Sequence, residues 1–206
     1  MQVSSMITLL AGQLIDPGFV RWKEGELLNY INQALSMMAM NLPDEFRRSE
    51  TVSVTQAEVA LPADALALLS VDAVNGVAVS EVAVEKLNQL DPGWRQRSGM
   101  PSSWVQHVRE KQRYWLYPAP SEPVDVMHSY SAFAYLNQDD DLPVSDVYQS
   151  AVMDFVLHRA YGKDGQNASE QNKSLMHLQL FNTAIGNVLD LKALLKQERA
   201  QREKQR

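Results

Sequence analysis

The chain has 206 residues, no cysteine, 45% hydrophobic residues and a formal net charge of −6. Its length suits one domain, or one domain with an insertion, and lets about 70% of the unfolded surface be buried without a covalent staple. The lack of cysteine excludes disulfides, thiolate metal sites and cysteine nucleophiles. No apolar run approaches the ~20 residues of a membrane span, and MQVSSMITLL has no basic flank before Asp16-Pro17-Gly18, so a soluble protein made in a cytoplasm is expected.

Val3, Met6, Ile7, Leu10 and Leu14 recur at helical spacing, and Asp16-Pro17-Gly18 ends that first helix. A second helix is predicted over about 23–41. Its apolar stripe is Leu27, Leu28, Ile31, Leu35, Met38 and Leu42, and Trp22 precedes it in the position of a hydrophobic staple. Lys23 is a poor N-cap, although Glu26 can reach back toward a free amide. Met37 and Met40 lie off the stripe. They either widen the core face or mark a subunit contact, since methionine adapts to irregular surfaces.

From Arg47 the period changes to two. Val52 and Val54, then Val59 and Leu61, read as strands stopped by Pro62. Asn75-Gly76 between alternating apolar residues predicts a hairpin, because both central residues of a type I′ turn need positive φ. A short helix over 83–90 and strands over 103–108, 113–117 and 124–132 follow. Helical spacing returns near Asp146, with Tyr148, Ala151, Val152, Phe155 and Arg159 on one face. A long helix is predicted from Ala168, with Leu175, Leu178, Phe181, Ile185, Val188 and Leu189 as its stripe and Leu194 and Leu195 beyond. The predicted class is α+β. An antiparallel helical bundle (1–45 and 145–195) carries a central β-rich insertion (46–144) and a charged C-terminal tail (196–206).

That tail, KQERAQREKQR, holds five basic residues and two glutamates, a local +3 that leaves −9 for the body. Such asymmetry fits a segment that meets a partner, or a solvated helix end.

The stretch DDDLPVSDVY (139–148) places four carboxylates before an apolar run. A calcium loop needs glycine at its sixth position and glutamate at its twelfth; here those are Val144 and Ser150. A loop starting a helix fits better, with Ser145 as N-cap and Asp146 in the first turn. The histidines, His107, His128, His158 and His177, are scattered. Asp154 and His158 are four apart on a helix and can touch, but two ligands do not make a metal site. No HExxH, GxSxG or glycine-rich phosphate loop occurs, so no catalytic, cofactor or metal residue is assigned. RYWLYPAP (113–120) reads as a half-buried strand or as a stacking platform for single-stranded nucleic acid, and the acidic body argues for the strand.

Four stretches in order resemble adaptor proteins of short-tailed bacteriophages: FVRWKEGELLNYINQAL with its ELLxYxNxAL helix, VSVTQAEVALPAD, GMPSSWVQHVREKQRYWLYPAP, and DDDLPVSDVYQSAVMDFVLHRAYGKDGQNA. Lys23 departs from the usual Ser/Thr cap. The resemblance implies a virion protein with no enzymatic role and no cofactor. It implies self-assembly as a ring, usually dodecameric, below the portal protein. Such a ring extends the DNA channel without sequence-specific binding and docks the tail nozzle or tail tube protein. On that reading Lys196, Arg199, Arg202, Lys204 and Arg206 dock on the portal, and Met37 and Met40 lie at a subunit interface. An acidic lumen would let DNA slide. The alternatives are a nucleic-acid-binding protein using the basic tail and, behind it, an enzyme using the carboxylates of 139–146.

Overall fold

A computed structural model describes residues 1–163 and 167–204, with side-chain surroundings given through residue 202 apart from 199 and 200. In chain order the elements are α1 (Val3–Gln13), α2 (Glu24–Asn41), β1 (Arg47–Val54), β2 (Glu58–Ala60), β3 (Ala65–Val74), β4 (Val77–Ala78), β5 (Ser80–Glu81), α3 (Val84–Leu90), β6 (Ser98–Gly99), β7 (Ser103–Val105), β8 (Arg113–Tyr117), β9 (Ala119–Pro120), β10 (Val124–Ala132), α4 (Gln149–Tyr161) and α5 (Ala168–Lys204). The fold is mixed α+β. The chain divides into two compact units, Met1–Leu42 with Tyr135–Arg206, and Pro43–Ala134.

In the helical unit, α1 rests on α2 and α4, α2 rests on α4, and α4 rests on α5. The stripes read from periodicity are the buried faces of the first two helices: Val3, Met6, Ile7 and Leu10 on α1, and Leu27, Ile31, Leu35 and Met38 on α2. Burying each such side chain contributes roughly 1.5–3 kcal/mol. The reversal between α1 and α2 is built on Asp16. Its Oδ1 accepts the Val20 amide at 2.9 Å, and its Oδ2 accepts those of Arg21 and Trp22 at 2.8 and 2.9 Å. Ile15 (φ 56°) and Phe19 (φ 51°) occupy the left-handed region, which costs free energy for bulky side chains. The three charge-assisted bonds to Asp16 offset that strain.

Trp22 is anchored to the end of α4. Its indole Nε1 donates to the Ala160 carbonyl at 3.0 Å, and its ring meets Tyr161 edge-on. A buried indole N–H needs an acceptor, and the end of α4 supplies one.

The β unit holds two four-stranded sheets, ordered β1-β10-β3-β4 and β2-β8-β7-β5, and the two-stranded pair β6-β9. Asn75 (φ 48°) and Gly76 (φ 76°) turn β3 into β4, with Val74 opposite Val77, as the dipeptide predicts. The strands either side of TQAE do not pair with each other: β1 pairs with β10 and β2 with β8. Val71, Val74, Val124 and Val126 of one sheet and Val59, Trp104, Tyr114 and Leu116 of the other make one buried cluster. On the opposite side of β8, Trp115 and Tyr117 pack with Val84, Leu87, Trp94 and Val105. β8 is thus apolar on both faces, which accounts for the aromatic density of RYWLY.

α5 departs from the expected stripe. Phe181 and Ile185 are buried, but Leu175 is 63% exposed and Leu189 is 40% exposed. α4 spans 13 residues and α5 spans 37, about 20 Å against about 55 Å. A helix that outruns its neighbour so far leaves part of its apolar face uncovered.

Candidate assembly surfaces

Residues of the first and last of the four stretches that carry the family resemblance meet within the helical unit, and several bond to each other. The Glu26 carboxylate accepts the Tyr30 hydroxyl at 2.8 Å and the Lys163 ammonium at 2.7 Å. Lys163 also donates to the Arg21 carbonyl at 3.1 Å, and Arg21 makes a bidentate pair with Glu170 at 2.8 and 2.6 Å. Partial burial pushes the Glu26 carboxyl up, but the bonds from Lys163 and Tyr30 outweigh it and hold it below the usual range. Burial, with the Glu26 carboxylate beside it, pushes the Tyr30 phenol up to about 12. Asn32, only 3% exposed, donates from Nδ2 to the Leu136 carbonyl at 3.0 Å and accepts the Leu136 amide at 2.7 Å. The ELLxYxNxAL pattern and the lysine after α4 therefore form a structural knot, not a substrate site.

The acidic stretch works through its backbone. The amides of Val3 and Ser4, unpaired within α1 because they open it, donate to the carbonyls of Asp140 and Gln138 at 3.0 Å each. Leu142 donates to the Met1 carbonyl at 3.0 Å, and Gln2 bridges to Asp141. Ser145 makes no side-chain cap bond; α4 begins at Gln149 after a 3-10 turn over 146–148, and Asp146 accepts the Gln149 side-chain amide at 2.6 Å. The loop reading holds, but its capping service goes to α1 and not to α4. Asp154 pairs with His177 at 2.8 Å and not with His158, whose Nδ1 lies 2.9 Å from the Ser174 hydroxyl. Among the described residues no group of three or more His, Asp or Glu side chains is placed to hold a metal ion.

In the β unit buried Tyr114 and His128 form a chain that ends on the partly exposed Glu50. The Tyr114 hydroxyl lies 2.8 Å from His128 Nδ1, and His128 Nε2 lies 3.1 Å from Glu50. Glu50 as acceptor places the neutral histidine's proton on Nε2, so Nδ1 accepts from the tyrosine. Burial raises the Tyr114 phenol well above its ordinary value, which keeps it a donor. Arg113, the base beside these aromatics, is paired with Glu58 at 2.7 Å. The rings are committed to packing, and nothing in this geometry supports a nucleic-acid platform. A recess of about 430 Å³ beside Trp94, Trp115 and Leu116 is the apolar concavity of this unit's surface.

Apolar side chains of the helical unit remain exposed on α2 and on α5. Met37 and Met40 are 41% and 71% exposed, so they do not widen the core face of α2. On α5, no described residue beyond Ile185 is buried. Leu191 and Leu194 are 57% and 58% exposed. The charged run that follows continues α5 through Lys204. Gln, Glu, Arg, Lys and Ala all favour helix, and Glu198 approaches Arg202 at 3.8 Å one turn on. Lys196 and Arg202 are exposed. The side chains of Arg199 and Lys204, and all of Arg206, lie outside the described residues.

No curated protein matches the chain. A family model described as SU10 adaptor protein matches residues 1–205. With nearly the whole length matched, the chain belongs to the SU10 adaptor protein family, a phage head–tail adaptor family of structural proteins and not of enzymes.

Proposed function

We propose that this chain is the repeating subunit of a ring in the virion neck, joining the portal protein to the tail nozzle or tail tube protein and extending the DNA channel. The observation that carries the reading is the second half of α5, a helix with exposed leucines and no buried described residue past Ile185. An isolated helical stretch of that length is marginal in water, so its order and its leucines call for a covering surface. Copies of the chain, with the α helices as an antiparallel bundle, form the ring, usually of twelve. Met37 and Met40 lie at the subunit interface. The basic segment 196–206 docks on the portal, and the β unit faces the nozzle or the adjacent subunit. The acidic body, −9 without that end, repels the DNA phosphates and lets the genome slide.

In vitro complementation of adaptor-less heads tests the docking role. Removing residues 196–206 leaves the melting temperature nearly unchanged and impairs tail attachment and DNA retention. Full attachment by the truncated protein counts against portal docking through this end.

A further inference from the structure

The segment VLDLKALL (188–195) places Val188, Leu189, Leu191, Ala193, Leu194 and Leu195 around the whole circumference of α5, since successive residues are 100° apart. Asp190 and Lys192 interrupt this collar, but six of its eight residues are apolar and none of them is buried by its own chain, which calls for a covering surface. Another open apolar surface of the same unit is the α2 face of Met37 and Met40, three residues apart and therefore neighbours on the helix.

We propose that the collar of one copy packs on the Met37–Met40 face of the next copy; this rests on the ring reading above. Charge decides between this and collar-to-collar pairing. In a ring, neighbouring copies point the same way, so identical collars side by side would bring their basic ends together, each at +3. The α2 face offers the opposite. It ends in a helix C-terminus, the negative pole of the helix dipole, and the last turn of α2 has no basic residue to compensate it. With the two helices parallel, Leu191 and Leu194 opposite Met37 and Met40 carry Lys196 just past Asn41, the last residue of α2. The register of apolar contact and the register of charge then coincide. The contact joins two different faces, so it is heterologous, and such contacts close into rings when the rotation permits.

The chain has no cysteine, so introduced thiols report alone. Met40→Cys and Leu194→Cys, opposite each other in this register, replace exposed side chains and leave the fold intact; Met37→Cys and Leu191→Cys serve if either variant fails to fold. The two single variants are mixed with portal protein and oxidised. The heterotypic cross-linked dimer should exceed either homotypic dimer by roughly tenfold, because a disulfide needs Cα atoms within about 7 Å. The double variant should give a covalent ladder. Dominant Leu194→Cys homodimers overturn the pairing. Absence of cross-links in a preparation whose light scattering shows associated copies overturns it too, while leaving the ring reading in place. A protein that stays monomeric with and without portal overturns the ring reading, and the pairing falls with it.

Discussion

Asn32 holds both backbone groups of Leu136: its side-chain amide donates to the carbonyl at 3.0 Å and accepts from the amide at 2.7 Å. The asparagine thus does for one residue what a neighbouring strand would do. It lies inside a buried helix face, where a lone polar side chain is costly unless satisfied. The partner is 104 residues away in sequence, where the chain returns from the β unit to the helical one.

Replacing Asn32 by alanine removes both bonds and leaves two backbone groups of Leu136 unpaired. The expected loss is about 2–4 kcal/mol. Urea unfolding should show a lower midpoint with an unchanged slope. A midpoint within error of the parent would mean that water replaces the side chain at no cost.

Trp22→Ala should cost about 3–5 kcal/mol, the range for deleting a buried aromatic side chain. It leaves a void beside Tyr161 and strips the Ala160 carbonyl of its donor. Thermal melting followed by circular dichroism reads the loss. Lys163→Met tests the other side of the knot and should cost less, since Lys163 and Glu26 are both partly exposed.

Acid should loosen the helical unit through its depressed carboxylates. The Trp22 amide, the largest cause, with those of Val20 and Arg21, holds Asp16 below its ordinary value, and the bond from Arg21 does the same for Glu170. A group whose folded pKa is lowered contributes stability that is complete above the unfolded value, near 4, and is lost as pH falls through the folded one. The melting temperature should therefore be flat near neutrality and fall below about pH 4. Asp16→Asn cannot accept all three amides in the same way. Its melting temperature should be lower at pH 7, and its decline in acid shallower. A parallel decline in both proteins would remove Asp16 from the account.

Tyr114→Phe deletes the donor to His128 Nδ1 within the buried cluster of the β unit. An unsatisfied buried acceptor costs about 1–3 kcal/mol. Pairing the change with His128→Phe in a double-mutant cycle should recover part of that loss, because the orphaned nitrogen is then absent. Strict additivity would show that the two side chains are not coupled.

Much of the architecture was legible where periodicity has one interpretation. The α2 stripe, β8, β10 and the Asn75-Gly76 turn follow from spacing and from the need for positive φ. Less legible were features that depend on a distant partner. Alternation says that Val52 and Val59 sit in strands, but not that those strands join different sheets. The stripe of α5 could be read, but not that Leu175 would stay exposed between Ser174 and His177, which bond to α4, nor that no described residue beyond Ile185 would be buried. Asp16 read as a helix stop without any hint that its carboxylate organises three amides. The carboxylates of DDDLPVSDVY drew notice as side chains, whereas the backbone carbonyl of Asp140 does the structural work by receiving the first amide of α1. Trp22 and Glu26 were seen as local capping devices; their partners Ala160 and Lys163 come from the other end of the unit.

The central claim is that copies of this chain form a ring on the portal. Electron microscopy of the purified protein mixed with purified portal protein tests it most directly. The account predicts portal particles bearing an additional closed ring of this chain at one end, with the α5 helices continuous into density at the portal surface. Bare portal particles beside free protein, at concentrations where both are in excess of a micromolar affinity, would contradict it.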